Sequence, residues 1–227
     1  MEQILTTNQK LKTNLDTNFL KIIAIVAMIL DHIGKAFFPE IQILQIIGRI
    51  AFPIFAYCIV VGVIHTSSFK NYLIRLGAFA VVSQLPWMLA FGPTWNIFFT
   101  LFFSALFVYG IKDKKWICLL ISLLAFSLLP LDYGFDTVLL LSSIYLLRDK
   151  FLLSLIVTSI ILAIPFLSGG DINIFGFALG MQGFAILAIP FIYFNTNMRL
   201  NINKYFFYIF YPAHLLMIFL IVNLFNI

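Results

Sequence analysis

The chain has 227 residues, of which 63% are hydrophobic and 10% are charged, and its mean hydropathy is +1.07. This composition excludes an ordinary globular domain, in which about a quarter of the residues are charged, and it predicts an integral membrane protein surrounded by the lipid bilayer. The formal net charge of +5 does not require a nucleic-acid partner, because the basic residues follow the pattern that membrane topology imposes.

Apolar runs of about 20 residues recur along the chain, and each is long enough to cross a ~30 Å hydrocarbon core as a helix. We therefore expect an all-α membrane protein that forms one domain over residues 1–227, with a polar cytoplasmic segment at 1–18 that lacks a signal-peptide pattern. About nine transmembrane helices are predicted, at 19–38, 42–64, 71–91, 95–111, 115–130, 133–148, 150–167, 174–194 and 205–226.

Lysine and arginine concentrate in one alternate set of the predicted connections, whereas the other set contains only Lys35. Basic residues near helix ends stay in the cytoplasm, so this asymmetry predicts a cytoplasmic N-terminus and an outer C-terminus for a multi-pass protein. The basic residues of the first set are Lys10, Lys12, Lys70, Arg75, Lys112, Lys114, Lys115, Arg148, Lys150, Arg199 and Lys204.

Two of the predicted spans, 115–130 and 133–148, are short and are joined by a tight turn at 129–134 that contains Asp132 and Tyr133. Short apolar segments interrupted by Pro or Gly often line a cavity in a membrane protein. A tilted helix pair in a locally thinner bilayer would leave the same pattern, and the two interpretations remain open from the sequence.

Asp31 and His32 stand side by side in the otherwise apolar stretch 24–35. An ionisable side chain at the middle of a membrane helix costs about 3 kcal/mol unless it is partnered, so the pair marks a candidate functional site. Arg49 lies about seven residues into the next span, and the short connection 39–41 predicts that it is level with Asp31 and His32.

A carboxylate, an imidazole and a guanidinium at one depth can carry out acid–base chemistry. Asp31 could hold His32 in one tautomer, His32 could act as a general base, and Arg49 could neutralise Asp31 or stabilise a developing anion. The competing interpretation is a buried ion pair that only fixes two helices, with a histidine beside it.

The last predicted helix contains His214 near its middle, two residues after Pro212, which can kink the helix. His214 either faces a cavity or is a core histidine with satisfied hydrogen bonds. Tyr208 and Tyr211 share a face of this helix and by themselves fit an aromatic belt at the membrane interface.

The remaining polar candidates lie near helix ends. Lys70 and Arg75 are either topological flanking charges or a landing place for an anionic cytoplasmic donor. Asn96 and Thr100 are either a helix cap or part of a cavity wall. We expect no metal site, because the three histidines share no ligand spacing and the two cysteines form no cluster.

The combination of motifs resembles the TraX family, described as F-pilin acetylases. The most distinctive matches are MILDHIG at 28–34, IGRIAFPIF at 47–55 and YIFYPAH at 208–214, and weaker matches lie at 20–22, 62–66, 72–76, 96–101 and 132–134. The matching residues cover almost the whole chain in order. Family proteins often carry an acidic residue before the glycine at position 62, where this chain has Val61.

The resemblance implies an acetyltransferase of the bacterial inner membrane that uses acetyl-CoA and modifies the N-terminus of a pilin-like peptide. Wider similarity to membrane acyltransferases, such as acyltransferase type 3 proteins and heparan glucosaminide acetyltransferase, extends the acceptors to hydroxyl groups and glycans. Carried over to this chain, the catalytic residues are Asp31, His32, Arg49 and His214; the donor site has Lys70, Arg75, Tyr208 and Tyr211; and the substrate cavity has Asn96, Thr100, Asp132 and Tyr133.

Two other classes remain as alternatives. A proton-coupled secondary transporter would use the same residues to relay protons, but the sequence shows no internal repeat of the kind common in transporters. A non-catalytic membrane assembly protein would use them only to pack its helices.

Overall fold

The computed structural model describes residues 14–170, 172–174, 177–198 and 200–225. These residues are predominantly helical, as predicted. Most of the expected polar N-terminal segment lies outside the described residues, as do three basic residues on which the predicted topology depends in part: Lys10, Lys12 and Arg199.

Ten α-helices follow one another along the described chain. They are α1 (Thr17–Phe37), α2 (Gln42–Gly48), α3 (Ala51–His65), α4 (Phe69–Phe91), α5 (Ile97–Lys112), α6 (Trp116–Leu128), α7 (Phe135–Leu146), α8 (Phe151–Ala163), α9 (Ile189–Tyr193) and α10 (Lys204–Phe225). Two 3₁₀ helices, Ile164–Ser168 and Met181–Ala188, and two short strands, β1 (Ile172–Ile174) and β2 (Phe177–Leu179), lie between α8 and α9.

Four helical segments of the described chain are long and apolar enough to cross a membrane. They are Gln42–His65, which combines α2 and α3, Phe69–Phe91, Phe151–Ser168 and Tyr205–Phe225. The other predicted spans correspond to shorter helices or, for α1, to a 21-residue helix that carries Lys21, Asp31 and Lys35.

Helix α3 is the centre of the fold. Its side chains are apolar on every face, and a helix of this kind is stable only when neighbours surround it. Its partners include α1, α5 and α7. The side chains of Ile54, Tyr57, Val60 and Val63 are completely buried.

Helix α1 packs on α3 through residues that recur at helical spacing, and the buried ones include Leu20, Ala24, Ala27, Met28 and Asp31. The stripe that buries the apolar residues therefore also carries Asp31 into the protein. A short turn then reverses the chain, so that α2 runs back along α1.

The predicted helix 174–194 is wrong in its first part. Strands β1 and β2 form an antiparallel hairpin there, with Ile172 opposite Leu179, and a 3₁₀ helix follows before α9. Gly180 and Gly183 permit this arrangement, since a Cβ atom at either position would collide with the preceding 3₁₀ helix at Pro165 or Phe166. Glycine is also a poor helix former, which favours the departure from a regular α-helix.

A cluster of buried hydroxyl groups joins α7, α8 and α9. The Tyr193 hydroxyl lies 2.7 Å from Ser154 Oγ and 2.8 Å from Thr158 Oγ1, and Thr158 Oγ1 lies 2.9 Å from Ser143 Oγ. Every hydroxyl in the cluster has a partner, so the group fixes three helices without leaving an unpaired polar atom in an apolar interior.

We expect Tyr193→Phe to lower the free energy of unfolding by about 0.6–1.7 kcal/mol, the range measured for single hydrogen bonds between membrane helices. The variant removes the hydroxyl that links Ser154 to Thr158. The matched control is Tyr109→Phe, which keeps the ring that stacks on Phe69 at 3.8 Å between centroids. Thermal unfolding of the detergent-purified proteins measures the difference, and equal stability of the two variants would contradict the structural role of the cluster.

Candidate functional site

A cavity of about 120 Å³ lies where α1, α2 and α3 meet the start of α5, the turn before α7 and the 3₁₀ helix 181–188. Most of the residues predicted as catalytic meet there. Its polar and aromatic lining residues are Asp31, His32, Lys35, Arg49, Phe52, Phe55, Trp87, Asp132, Tyr133, Gln182 and Tyr211. We refer to it as the smaller cavity.

An ion cluster around Asp31 forms one wall of the smaller cavity. Arg49 Nη2 donates to Asp31 Oδ1, and Lys35 Nζ lies 2.7 Å from Asp31 Oδ2. The Asp31 side chain is only 8% exposed. The predicted proximity of Arg49 to Asp31 is therefore confirmed, and Lys35, one helical turn after Asp31, adds a second cation.

Arg49 is held from three sides. Besides its bond to Asp31, its Nε donates to the Gln45 carbonyl at 3.1 Å and its Nη1 donates to Gln182 Oε1 at 3.2 Å. The guanidinium has five N–H donors. These bonds use three of them, so two donors have no partner among the described residues and are available to an oxygen atom that enters the smaller cavity.

Gly48 allows α2 to approach Asp31 closely. A Cβ atom at position 48 would overlap the Asp31 side chain and stand 2.8 Å from its Oδ1 atom. The glycine therefore permits the contact between the two helices that brings Arg49 to the carboxylate.

His32 pairs with His214 rather than with Asp31. His32 Nδ1 and His214 Nε2 are 2.8 Å apart, and the two imidazole rings meet edge to edge with an angle of only 6° between their planes. The structure thus corrects the predicted orientation of His32 by Asp31. Adjacent residues on an α-helix point about 100° apart, so Asp31 turns toward α2 while His32 turns toward α10.

The hydrogen bonds determine the tautomers of the neutral histidine pair. His214 Nδ1 lies 3.1 Å from the carbonyl oxygen of Phe210, which can only accept, so this nitrogen carries a proton. His214 Nε2 then accepts from His32 Nδ1–H. This leaves Nε2 of His32 with a free lone pair, as a general base requires.

The two histidines are almost completely buried, at 5% exposure for His32 and 4% for His214. The rings of Trp87 and Phe91 from α4 lie 5.8 Å and 5.0 Å from the His32 ring, between centroids. These aromatic rings keep bulk water away from the pair on the side of α4.

Asp132 and Tyr133 reach the smaller cavity because the helices beside them are short. Helix α7 has 12 residues and spans about 18 Å, well below the ~30 Å of a hydrocarbon core. The turn between α6 and α7 therefore lies at the cavity, where the Tyr133 ring stacks on Phe52 at 3.6 Å between centroids. This position of Asp132 and Tyr133 is consistent with the cavity interpretation of the two short spans.

A second, larger cavity of about 330 Å³ adjoins the first and runs between α1, α3, α4, α5 and α10. Arg75, Tyr208 and Tyr211 line it as the predicted donor site requires. Lys70 does not belong to its described lining and is exposed at the start of α4. The basic side chains of this lining are Lys21, His65 and Arg75.

Asn96 and Thr100 belong to the described lining of neither cavity, and for Asn96 the structure favours the other alternative, a helix cap. Asn96 is the N-cap of α5, since its Oδ1 accepts from the Phe98 N–H at 2.9 Å, and its Nδ2 donates to the Ala80 carbonyl at 2.8 Å. Thr100 is completely buried one turn later.

Among the lining residues that sequence reasoning missed are Gln182, Lys35 and Lys21. Gln182 is a lone amide in an apolar stretch, which was a usable signal once the neighbouring glycines argued against a regular helix. Lys35 stands four residues after Asp31, the spacing of a helical ion pair. Lys21 had no signal beyond its place at the start of α1.

The helices and the buried histidine pair define a helical membrane-type protein with a polar site enclosed between its helices. The chain belongs to the TraX protein family, whose match covers residues 16–222.

Two curated relatives place this membership in context. The chain is 29% identical over 227 residues to the probable fimbrial assembly protein FimC, serogroup H1, of Dichelobacter nodosus, covering 86% of this chain and 91% of that protein. It is 33% identical over 105 residues to an uncharacterized protein of Rickettsia prowazekii (strain Madrid E), covering 45% of this chain and 40% of that protein. No solved structure matches the chain significantly.

We expect Gly48→Ala to destabilise the protein by about 1–3 kcal/mol, the usual cost of overpacking, because the new methyl group displaces Asp31 from Arg49. Gly77→Ala is the matched control, since its Cβ atom would meet only the edge of the Phe102 ring, at 3.3 Å. Thermal unfolding in detergent compares the two. If Gly48→Ala melts at the temperature of the control, the close approach at Gly48 does not hold the ion cluster.

Proposed function

We propose that this protein transfers an acetyl group from acetyl-CoA to an amine or hydroxyl group, with His32 as the general base. The observation that carries the proposal is the His32–His214 pair, whose hydrogen bonds leave a basic nitrogen beside the junction of two cavities of different character. The larger cavity can hold a long anionic donor, and the smaller cavity can hold the group that is modified.

The transfer step uses the free lone pair of His32. The acceptor nitrogen or oxygen attacks the thioester carbonyl carbon while His32 Nε2 takes the acceptor proton. The new C–N or C–O bond forms, the C–S bond breaks, and the proton on His32 passes to the thiolate to give the free thiol of coenzyme A. His214 is a positioning residue, because it holds His32 through Nδ1 in the reactive tautomer.

Arg49 supports the acetyl transfer from the wall of the smaller cavity that lies opposite the histidine pair. The two N–H donors that have no partner among the described residues suit the negative charge that develops on the carbonyl oxygen during attack. Asp31 keeps the guanidinium in place and balances its charge in a site with little water. Direct transfer needs no covalent enzyme intermediate, although an acetyl-histidine on His32 would use the same residues.

The donor enters the larger cavity. Lys21, His65 and Arg75 at its end provide positive charge for the phosphates of coenzyme A. Tyr208 and Tyr211 line the path from these cations toward the histidines. By the positive-inside rule this end faces the cytoplasm, where acetyl-CoA is made, and the protein is then a multi-pass protein of the bacterial cytoplasmic membrane with its N-terminus inside and C-terminus outside.

The acceptor enters the smaller cavity from the side of the α6–α7 turn. Asp132 is exposed in this turn and lines the cavity, so it can attract a protonated amine, which gives up its extra proton to water at the turn and reaches His32 as the neutral nucleophile. The fimbrial assembly protein from Dichelobacter nodosus favours a pilus subunit as the partner. We therefore propose the N-terminus of a pilin-like peptide as the acceptor, ahead of a glycan hydroxyl.

A non-catalytic role in assembly has one observation in its favour, which is that Asp31, Lys35 and Arg49 form an ion cluster able to fix α1 to α2 without any chemistry. The two roles differ in what the charges are needed for. A packing role requires only that the site be filled and free of unpaired charge, whereas catalysis requires Arg49 itself.

We expect His32→Ala in proteoliposomes to reduce acetyl transfer from labelled acetyl-CoA to a peptide amine by about 10²–10⁴-fold, the usual contribution of a general base. Thioester consumption and label on the peptide are measured together. His65→Ala is the matched histidine variant. It should raise the KM for acetyl-CoA and leave kcat unchanged, because His65 lines only the larger cavity, where the donor is proposed to bind. Full turnover by His32→Ala would overturn the proposal.

We expect Asp31→Leu alone to destabilise the protein by about 3–5 kcal/mol, because it leaves Arg49 buried without its main counter-charge. The double variant Asp31→Leu/Arg49→Met should regain much of this stability while acetyl transfer stays lost. Thermal unfolding and turnover are measured on the same preparations. Recovery of activity together with stability would favour the non-catalytic packing role of the ion cluster.

A further inference from the structure

The two cavities share four lining residues, one from each of α1, α3, α5 and α10. These residues, which we call the junction ring, are Met28, Phe55, Ile97 and Tyr211. Because each of them faces both cavities, the ring marks the boundary between the two. A donor lying in the larger cavity must bring its acyl group through this ring to reach the ion cluster.

The junction ring lies directly beside the histidine pair. Met28 precedes His32 by one helical turn on α1. The Tyr211 ring is 6.4 Å from the His32 ring and 5.3 Å from the His214 ring, between centroids. Phe98 packs edge-on against Tyr211 at 5.1 Å and holds its ring in place. An acyl carbonyl within reach of His32 therefore has its alkyl chain at the ring or just beyond it.

The surroundings of the ring leave little room for a longer alkyl chain. Met28 is 7% exposed and Tyr211 is 3% exposed, so both are packed on most sides. Beyond the ring, the smaller cavity of about 120 Å³ is walled by Asp31, Lys35 and Arg49. An alkyl chain that extends into it would strip water from charged groups without replacing their hydrogen bonds, which is unfavourable.

We propose that the junction ring selects the length of the transferred acyl group and admits acetyl in preference to longer chains. This inference rests on the proposed acyl transfer and names the residues that set its donor specificity. One methylene group in a closely packed apolar pocket changes kcat/KM by about 10–200-fold. Butyryl-CoA, with two additional methylene groups, should therefore be used at least about 100-fold less efficiently than acetyl-CoA.

The test compares kcat/KM for acetyl-, propionyl- and butyryl-CoA with the full-length protein in proteoliposomes. Met28→Ala should raise the butyryl-to-acetyl ratio of kcat/KM at least about 10-fold. Ile97→Ala, on α5 rather than α1, should also raise this ratio. Ile25→Ala is the matched control, because Ile25 lies three residues before Met28 and lines only the larger cavity. Its ratio should match that of the wild type.

A second measurement tests whether a molecule can pass from the larger cavity to the smaller cavity through the junction ring. On a background with Cys58→Ala and Cys118→Ser, the variant Ala51→Cys places a thiol in the smaller cavity. A membrane-impermeant thiol reagent added on the side of the larger cavity should label it, and Met28→Trp should slow this labelling at least about 10-fold. Labelling at the same rate with Met28→Trp would overturn the passage through the ring.

The outcomes separate this inference from the proposed function. The inference alone is overturned if the wild-type protein uses all three donors but neither Met28→Ala nor Ile97→Ala changes the butyryl-to-acetyl ratio of kcat/KM. It is also overturned if Ile25→Ala changes this ratio equally. If the wild-type protein transfers no acyl group from any of the three donors, both the proposed function and the selection of acyl length by the junction ring are overturned. This holds even if Met28→Trp still slows the labelling of the thiol at position 51.

Discussion

The site depends on one desolvated carboxylate. Asp31 is held between Arg49 and Lys35, and its burial is tolerated only because both of its oxygen atoms meet a cation. That requirement fixes the turn between α1 and α2, accounts for the absence of a side chain at position 48, and directs Arg49 toward Gln182. The charges thus organise one wall of the smaller cavity before any substrate is considered.

The histidine pair is organised by a different constraint, which is the direction of side chains on a helix. Neighbouring residues diverge by about 100°, so one helix can offer a carboxylate to α2 and an imidazole to α10 at nearly the same depth. Asp31 and His32 therefore belong to two separate networks. The ion cluster supplies a fixed positive charge on one side of the cavity, and His214 orients the imidazole of His32 on the other.

Much of this arrangement could be predicted from the sequence, and the parts that could not have identifiable reasons. The short connection 39–41 predicted that Arg49 lies at the same depth as Asp31. The short helices on either side of Asp132 predicted its place at a cavity. The His32–His214 contact joins residues 182 positions apart, and periodicity within one helix carries no information about such a contact. The first part of the predicted helix at 174–194 was wrong because its hydropathy concealed Gly180 and Gly183, where a side chain would collide with the preceding 3₁₀ helix.

The hydrogen-bonded chain from His32 to the Phe210 carbonyl also determines the fate of the proton. A peptide carbonyl does not take up a proton at neutral pH, so the chain is a dead end beyond His214. A proton accepted at Nε2 of His32 must leave from the same nitrogen. In the proposed acetyl transfer, the pair would therefore act as a local shuttle that returns the proton of the acceptor to the leaving thiolate.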